Sequence, residues 1–249
     1  MGNLMKAEWY KLRKDRSFWV ILIILLGTAL GYPLMLKSVI GASGNDYYSG
    51  YILSINNEIV RLFPAILAGF FISSEYSMGT MKSIVSSGNS RTRLYFVKLA
   101  VFSIGAAIIM LILPIFMVGA SVIYYGADLM PDWTFYLKTI GLIALYTISF
   151  ASVMAFFSTL FTESGKSIAF QLLFFALIRD LLELVSAKIT FLEPVITHSI
   201  FISQPSILSI DKIIQWNGDD VLTFIVIPIV TFIVFGILGS LVYRKKEIK

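Results

Sequence analysis

The sequence predicts an all-α integral membrane protein. It reads as six transmembrane helices, an interfacial amphipathic helix at the N-terminus, a short polar-side helix between spans two and three, and an apolar outer segment between spans five and six. Three observations predict this. Hydrophobic residues make up 57% of the 249-residue chain and charged residues 14%, against about 25% charged in soluble domains, and the mean hydropathy is +0.84. Six apolar runs approach or reach the roughly 20 residues that cross a bilayer at about 1.5 Å per residue. Lys and Arg fall unevenly on the two sides that those runs define.

The N-terminal stretch 4–16 precedes the first span. Met5, Trp9 and Leu12 share a helical stripe among lysines, so the segment is expected to lie in the interface with its apolar face down and its cations toward acidic lipid. The spans are expected at Ser17–Leu36, Ile59–Ser74, Leu99–Tyr125, Thr139–Phe161, Ser167–Ser186 and Val221–Tyr243. The first has a basic flank but is long for a signal peptide and has no small-residue cleavage site after it, so it reads as a retained anchor. Span two is short, and Pro64 near its start predicts a kinked or partly irregular beginning. Pro114 and Pro228 fall inside spans three and six, where membrane helices tolerate proline.

Fourteen Lys and Arg lie on the side holding both termini, the tract 75–98 and Lys166, and five lie on the other, with Arg179 inside a span. The positive-inside rule then places both termini and that tract in the cytosol. The net charge of +5 follows from this topology and does not point to nucleic acid. The absence of Cys excludes disulfides, thiolate metal sites and cysteine nucleophiles. The single histidine, His198, cannot build a zinc site alone.

The tract SEYSMGTMKSIVSSGNSRTRLYFVK, from Ser74 to Lys98, is too long for a simple hairpin turn. Met78, Met81, Ile84 and Val85 recur at helical spacing, Ser77 is a candidate N-cap and Gly88 a candidate C-terminal stop. Asn89 or Ser90 is a candidate cap for span three. The amphipathic helix so formed has two possible resting places, the lipid surface or a groove on a soluble partner to which methionines adapt.

The basic N-terminus EWYKLRKDRSFW, the six spans, and a span-two exit with Glu75, Gly79 and Thr80 followed by Ser90, Arg91 and Lys98 resemble the ABC-2 type permease family, as found in peptide and bacteriocin exporters. The resemblance implies a single permease domain over 1–249. It further implies that 75–98 is a coupling segment docking into a cytosolic ATPase subunit, with Glu75, Met78, Gly79, Thr80, Met81, Lys82 and Arg91 as coupling residues. Short outer helices are implied between spans five and six. Two permease copies, a homodimer, would form the pathway in a bacterial plasma membrane. ATP and Mg would be held by the ATPase subunit, and this chain would bind no cofactor and carry no catalytic residue.

The nearest approach to a phosphate loop is Glu163-Ser164-Gly165-Lys166-Ser167. It lacks the first glycine of the G-x-x-x-x-G-K-[ST] pattern and no strand precedes it, so it reads as a polar turn, with Glu163 and Lys166 as possible ATPase contacts. In span five, Arg179, Asp180 and Glu183 lie deep, where charge is costly unless paired or hydrated. Arg179 and Glu183 are one turn apart and can neutralise each other. Glu58 and Arg61 are candidate partners for them. This cluster reads either as a structural ion pair or as part of a polar pathway, and the second reading supports an alternative function as a secondary transporter or channel. The segment 187–220 is too apolar for an exposed loop and is expected to pack over the spans or re-enter the outer leaflet. His198 within it reads as a hydrogen-bonded loop residue or, alternatively, as a proton relay. Abundant aromatics with few polar residues in the spans favour an amphipathic peptide or lipid-like substrate.

Overall fold

The computed structural model describes residues 2–35, 43–77, 89–204, 213 and 218–246. These residues form helices and connecting turns, with no strand among them. Helix α1 (Gly2–Lys14) leads into α2 (Arg16–Met35), followed by α3 (Gly44–Ser73), α4 (Arg91–Tyr125) and α5 (Trp133–Leu160). Then come α6 (Ser164–Lys188), the short α7 (Glu193–Thr197) and α8 (Ile200–Ser203), and α9 (Gly218–Lys245). A further turn, Ser74–Ser77, continues α3.

Five of these, α2, α3, α4, α5 and α9, are long and apolar enough to cross a membrane. With 25 residues, α6 has about 37 Å of rise, but Arg179, Asp180 and Glu183 interrupt its apolar run. The core lies on α4 and α5, whose apolar windows are 67% and 61% buried, against 33% for α2 and 17% for α9. The apolar residues of α9 such as Val230, Ile233, Ile237 and Leu241 therefore face outward.

Close approach and hydroxyl bonds join the spans, as expected where helix association lacks a solvent-driven hydrophobic term. Gly239 of α9 admits the Tyr95 ring of α4 at a distance that any Cβ would block. Ser149 donates to the Pro228 carbonyl at 2.7 Å, and the Tyr146 hydroxyl donates to the Thr223 carbonyl at 3.1 Å.

The structure corrects several expected boundaries. The helical run of α3 begins at Gly44, well before Ile59. Its first half reads as polar, yet its polar groups face other elements: Tyr47 Oη lies 2.7 Å from Ser121 Oγ, and Asn45 bonds Asp132 through both its amide nitrogen and its oxygen. Hydropathy sums cannot register such satisfaction. Glu58 and Arg61 thus stand within α3, not at its outer end. Pro64 sits inside an ordinary helical stretch, and the widened π-helical turns of α3 flank it at Tyr48–Leu53 and Gly69–Ser73. Pro114 lies in such a turn, Leu113–Met117, and Pro228 stands two residues past another, Leu222–Val226. A missing N–H loosens the ladder there without ending the helix.

The interfacial stripe is also revised. Leu12 is fully buried against Gly105 of α4 and Trp9 packs partly on the core, but Met5 is exposed. The inward face of α1 runs through Glu8 and Leu12, so the helix docks on the spans through charge as well as apolar contact.

Candidate functional site

Where α1, the end of α3 and the start of α4 meet, four charged side chains converge. Lys98 Nζ donates to Glu75 Oε1 at 2.5 Å and to Glu8 Oε1 at 2.8 Å. Lys11 Nζ donates to the same Glu75 oxygen at 2.5 Å and to the Phe71 carbonyl at 2.8 Å. The Phe71 ring lies 4.5 Å from Lys11 Nζ, near enough for a cation–π contribution.

Local sequence places each group. Ser90 Oγ accepts from the Arg93 N–H and caps α4, so helix begins at Arg91 and carries Lys98 two turns inward. Lys98, counted in the sequence among the cations of the polar tract, is in fact 1% exposed. Glu8 and Lys11 are one turn apart on α1 and share its inward face.

Burying an ion costs several kcal/mol unless partners compensate it. Here two carboxylates and two ammonium groups give a net charge of zero. Burial pushes the Lys11 ammonium below the ordinary lysine value, Lys98 adds to this, and Glu75 opposes it. For Glu75, burial alone would raise the pKa. The charges of Lys98 and Lys11 and their hydrogen bonds outweigh it and hold the carboxyl below the ordinary value.

Of the residues singled out in the sequence, Glu75 is the hub of this cluster. Met78, Gly79, Thr80, Met81 and Lys82 lie outside the described residues, as does the amphipathic helix expected on them. Arg91 turns elsewhere: its Nη1 donates to the carbonyls of Arg244 and Lys246 at 3.0 and 2.8 Å, satisfying backbone acceptors at the end of α9. Lys246 in turn donates to the carbonyls of Thr159 and Phe161 at the end of α5, and burial lowers its pKa to about 8. Glu163 and Lys166 pair at 2.7 Å, both well exposed, in the turn that opens α6. The helix α5, ending at Leu160, precedes them. The structure adds Glu8 and Lys11, which the sequence reading placed in the interfacial N-terminal helix without a role of their own. The signal was a lone acidic residue one turn before a lysine on an otherwise cationic helix.

A second polar network lies further along α3. Arg61 is 6% exposed, and its Nε and Nη2 donate to Gln204 Oε1 at 3.0 and 2.7 Å. Gln204 Nε2 donates to Asn57 Oδ1 at 2.7 Å. No carboxylate pairs directly with Arg61 among the described residues, although Glu58, Arg179, Asp180 and Glu183 lie within electrostatic reach. Thus Arg61 and Glu58 do not join the α6 charges in a bonded cluster. Arg179 pairs with Glu183 at 2.8 Å along its own helix, and Asp180 is exposed. His198 Nδ1 lies 2.7 Å from the Pro194 carbonyl, the local loop bond expected of it.

An all-helical chain with several bilayer-length apolar helices, tied at one end by a buried ion cluster, defines a multi-pass membrane protein. The family described as ABC-2 family transporter protein matches residues 4–179, which takes in α1 through most of α6 and the whole ion cluster. The chain belongs to the ABC-2 transporter family. Members are membrane subunits of ABC transporters without an ATPase domain of their own, and the family implies a partner ATPase subunit. No curated protein matches the chain.

Proposed function

We propose that the chain is the transmembrane permease subunit of an ATP-driven exporter, moving amphipathic or hydrophobic peptides and powered by a separate ATPase subunit that holds ATP and Mg. In this reading α6 is span five and completes a set of six, both termini face the cytosol of a bacterial plasma membrane, and two copies form the pathway. The tract 75–98 carries the coupling helix, with Glu75, Met78, Gly79, Thr80, Met81 and Lys82 transmitting motion.

The observation that carries the proposal is the Glu8–Lys98–Glu75–Lys11 cluster. It ties both stems of the 78–88 segment, and the N-terminal helix, into one charge-neutral unit. A push on that segment then moves α1, α3 and α4 together, because parting any one of them would strand a buried charge. Such a unit suits rigid-body switching between alternative packings. Arg91, bound to the end of α9, tethers the last span to the same end of the bundle.

The test is co-purification of the tagged chain from mildly solubilised native membranes. A stoichiometric soluble protein with a complete Walker A motif is expected, and Gly79→Trp is expected to abolish substrate-stimulated ATP hydrolysis with normal expression. A chain that repeatedly emerges alone, or a Gly79→Trp complex with stimulation intact, overturns the reading.

A further inference from the structure

We propose that the cavity between the α1–α2 elbow and the end of α3 binds the phosphodiester of an acidic phospholipid from the leaflet on which α1 lies.

The cavity, about 350 Å³ and open to the surface, is lined by Lys11, Lys14, Asp15, Ser17, Phe70 and Ser74. Its cations are available to an anion. Of the four ions gathered at Glu75, only Lys11 reaches the surface: its side chain is 30% exposed, against 1% for Lys98, 4% for Glu75 and 6% for Glu8. An ammonium has three donors. Lys11 gives one to Glu75 and one to the Phe71 carbonyl, so its third N–H has no acceptor among the described residues. Lys14 is exposed, lies 5.8 Å from the Tyr10 ring centroid and makes no ion pair among the described residues.

Counter-charge is scarce here. Asp15, the one carboxylate on the cavity, is engaged by the Ser17 N–H at 2.8 Å at the start of α2. Against it stand Lys11, Arg13, Lys14 and Arg16 on the same elbow. The segment 78–88, which follows α3 in the chain, contains Lys82 and neither Asp nor Glu, so it can only add to the positive charge.

The surroundings select a lipid over a soluble anion. Trp19 is 49% exposed and its indole N–H donates to the Arg13 carbonyl at 2.8 Å, while Tyr10 is 64% exposed. Amphipathic rings of this kind sit at headgroup level. Just beyond Trp19 the outward residues of α2 are Val20, Ile23 and Ile24, and Phe70 on the cavity wall is itself exposed. Cations at the elbow and apolar side chains directly below them match a phosphate with acyl chains attached. An acidic peptide or a free anion gains nothing from the apolar flank, and a zwitterionic lipid brings its own cation to the lysines. Lys11 then serves the phosphate and Glu75 together, which anchors the buried ion cluster to the leaflet.

This inference needs neither ATPase nor cargo and stands or falls apart from the exporter reading. The full chain, delipidated in a non-ionic detergent, is titrated with phosphatidylglycerol or phosphatidylcholine, and the first bound lipid is followed by native mass spectrometry. Phosphatidylglycerol is expected to bind at least about fivefold more tightly, the worth of one basic residue at an acidic membrane surface. Lys14→Gln should weaken its binding by about fivefold. Lys6→Gln, on the same helix but off the cavity, should change it by less than about twofold, because the attraction is local. Both lysines are exposed, so neither substitution threatens the fold. Equal binding of the two lipids, equal losses from the two variants, or displacement by millimolar inorganic phosphate or by a Glu-rich peptide overturns the site.

Discussion

At Glu75, the end of α3 brings two ammonium groups against two carboxylates, whereas about 21 Å back along the same helical run the Arg61 guanidinium meets the neutral amide of Gln204. Both networks are buried, and both join α3 to elements distant in sequence. The first cancels its charge within itself and so behaves as a fixed joint. The second leaves a cation held by an uncharged acceptor, with its nearest opposing charges beyond bonding distance. A joint of full charges resists parting, because each separated ion faces the desolvation cost alone. Parting the Arg61–Gln204–Asn57 link strands one cation, with hydrogen bonds each worth about 1.5–3 kcal/mol, where parting the Glu75 cluster strands several charges at once. The Glu75 end is thus fit to move as a block, and the Gln204 end is the cheaper place for packing to change.

The sharpest way to break this comparison is Glu75→Gln, which leaves Lys11 and Lys98 facing one carboxylate. A loss of about 3–5 kcal/mol is expected, read by denaturant unfolding of the purified chain; a cost near that of an ordinary surface change would remove the fixed-joint argument. Next in size, Lys98→Met and Glu8→Gln should each destabilise, and the double variant should cost less than their sum by about 0.5–3 kcal/mol. Additive costs would mean that the two groups do not act as a pair.

At the other network, Gln204→Leu removes both bonds from Arg61 and should cost about 3 kcal/mol or more, while Gln204→Glu should stabilise the link by giving Arg61 a true counter-ion. It should also slow any transport that requires α8 to leave α3, and a stable, fully active Gln204→Glu protein would show that this link need not open.

Acidity separates the regions further. The Glu75 carboxyl is held below its ordinary value, so its stabilisation is complete above the ordinary carboxylate pKa of 4.5 and is lost as the pH falls from there toward the depressed value. A drop in melting temperature on acidification, absent in Glu75→Gln, is the expected signature. Lys246 gives the same direction in a higher window. Its pKa is lowered to about 8 from 10.5, so the folded state binds fewer protons than the unfolded state between those values and stability rises with pH across them. Lys246→Met should remove that rise. Smallest of all, Glu163→Gln breaks an exposed pair in the α5–α6 turn and should change stability by less than about 0.5 kcal/mol.

Much of the fold was legible from local composition. Apolar runs of bilayer length located the helices, and the weighting of Lys and Arg put the N-terminal helix, the 75–98 tract and the chain's last residues on one side, where the structure gathers Glu75, Arg91 and Lys246. The spacing of Glu75, Gly79, Thr80 and Arg91 pointed to the family that the match over 4–179 bears out. Boundaries suffered where polar residues lie on a buried helix face, as at Asn57, because hydropathy counts a polar group as wet whether or not another element satisfies it.

The sequence by itself determined the class of protein, since the number and length of apolar runs are sums over neighbouring residues and depend on nothing distant. Only the tertiary structure decided what each charge touches. Lys98 finds Glu8 across 90 positions and Asn57 finds Gln204 across 147, and Arg91 turns to the carbonyls that end α9 rather than outward. These pairings follow from helix packing, which brings distant residues together at contact distance, and in a medium with little water a buried charge stays where a partner is within reach.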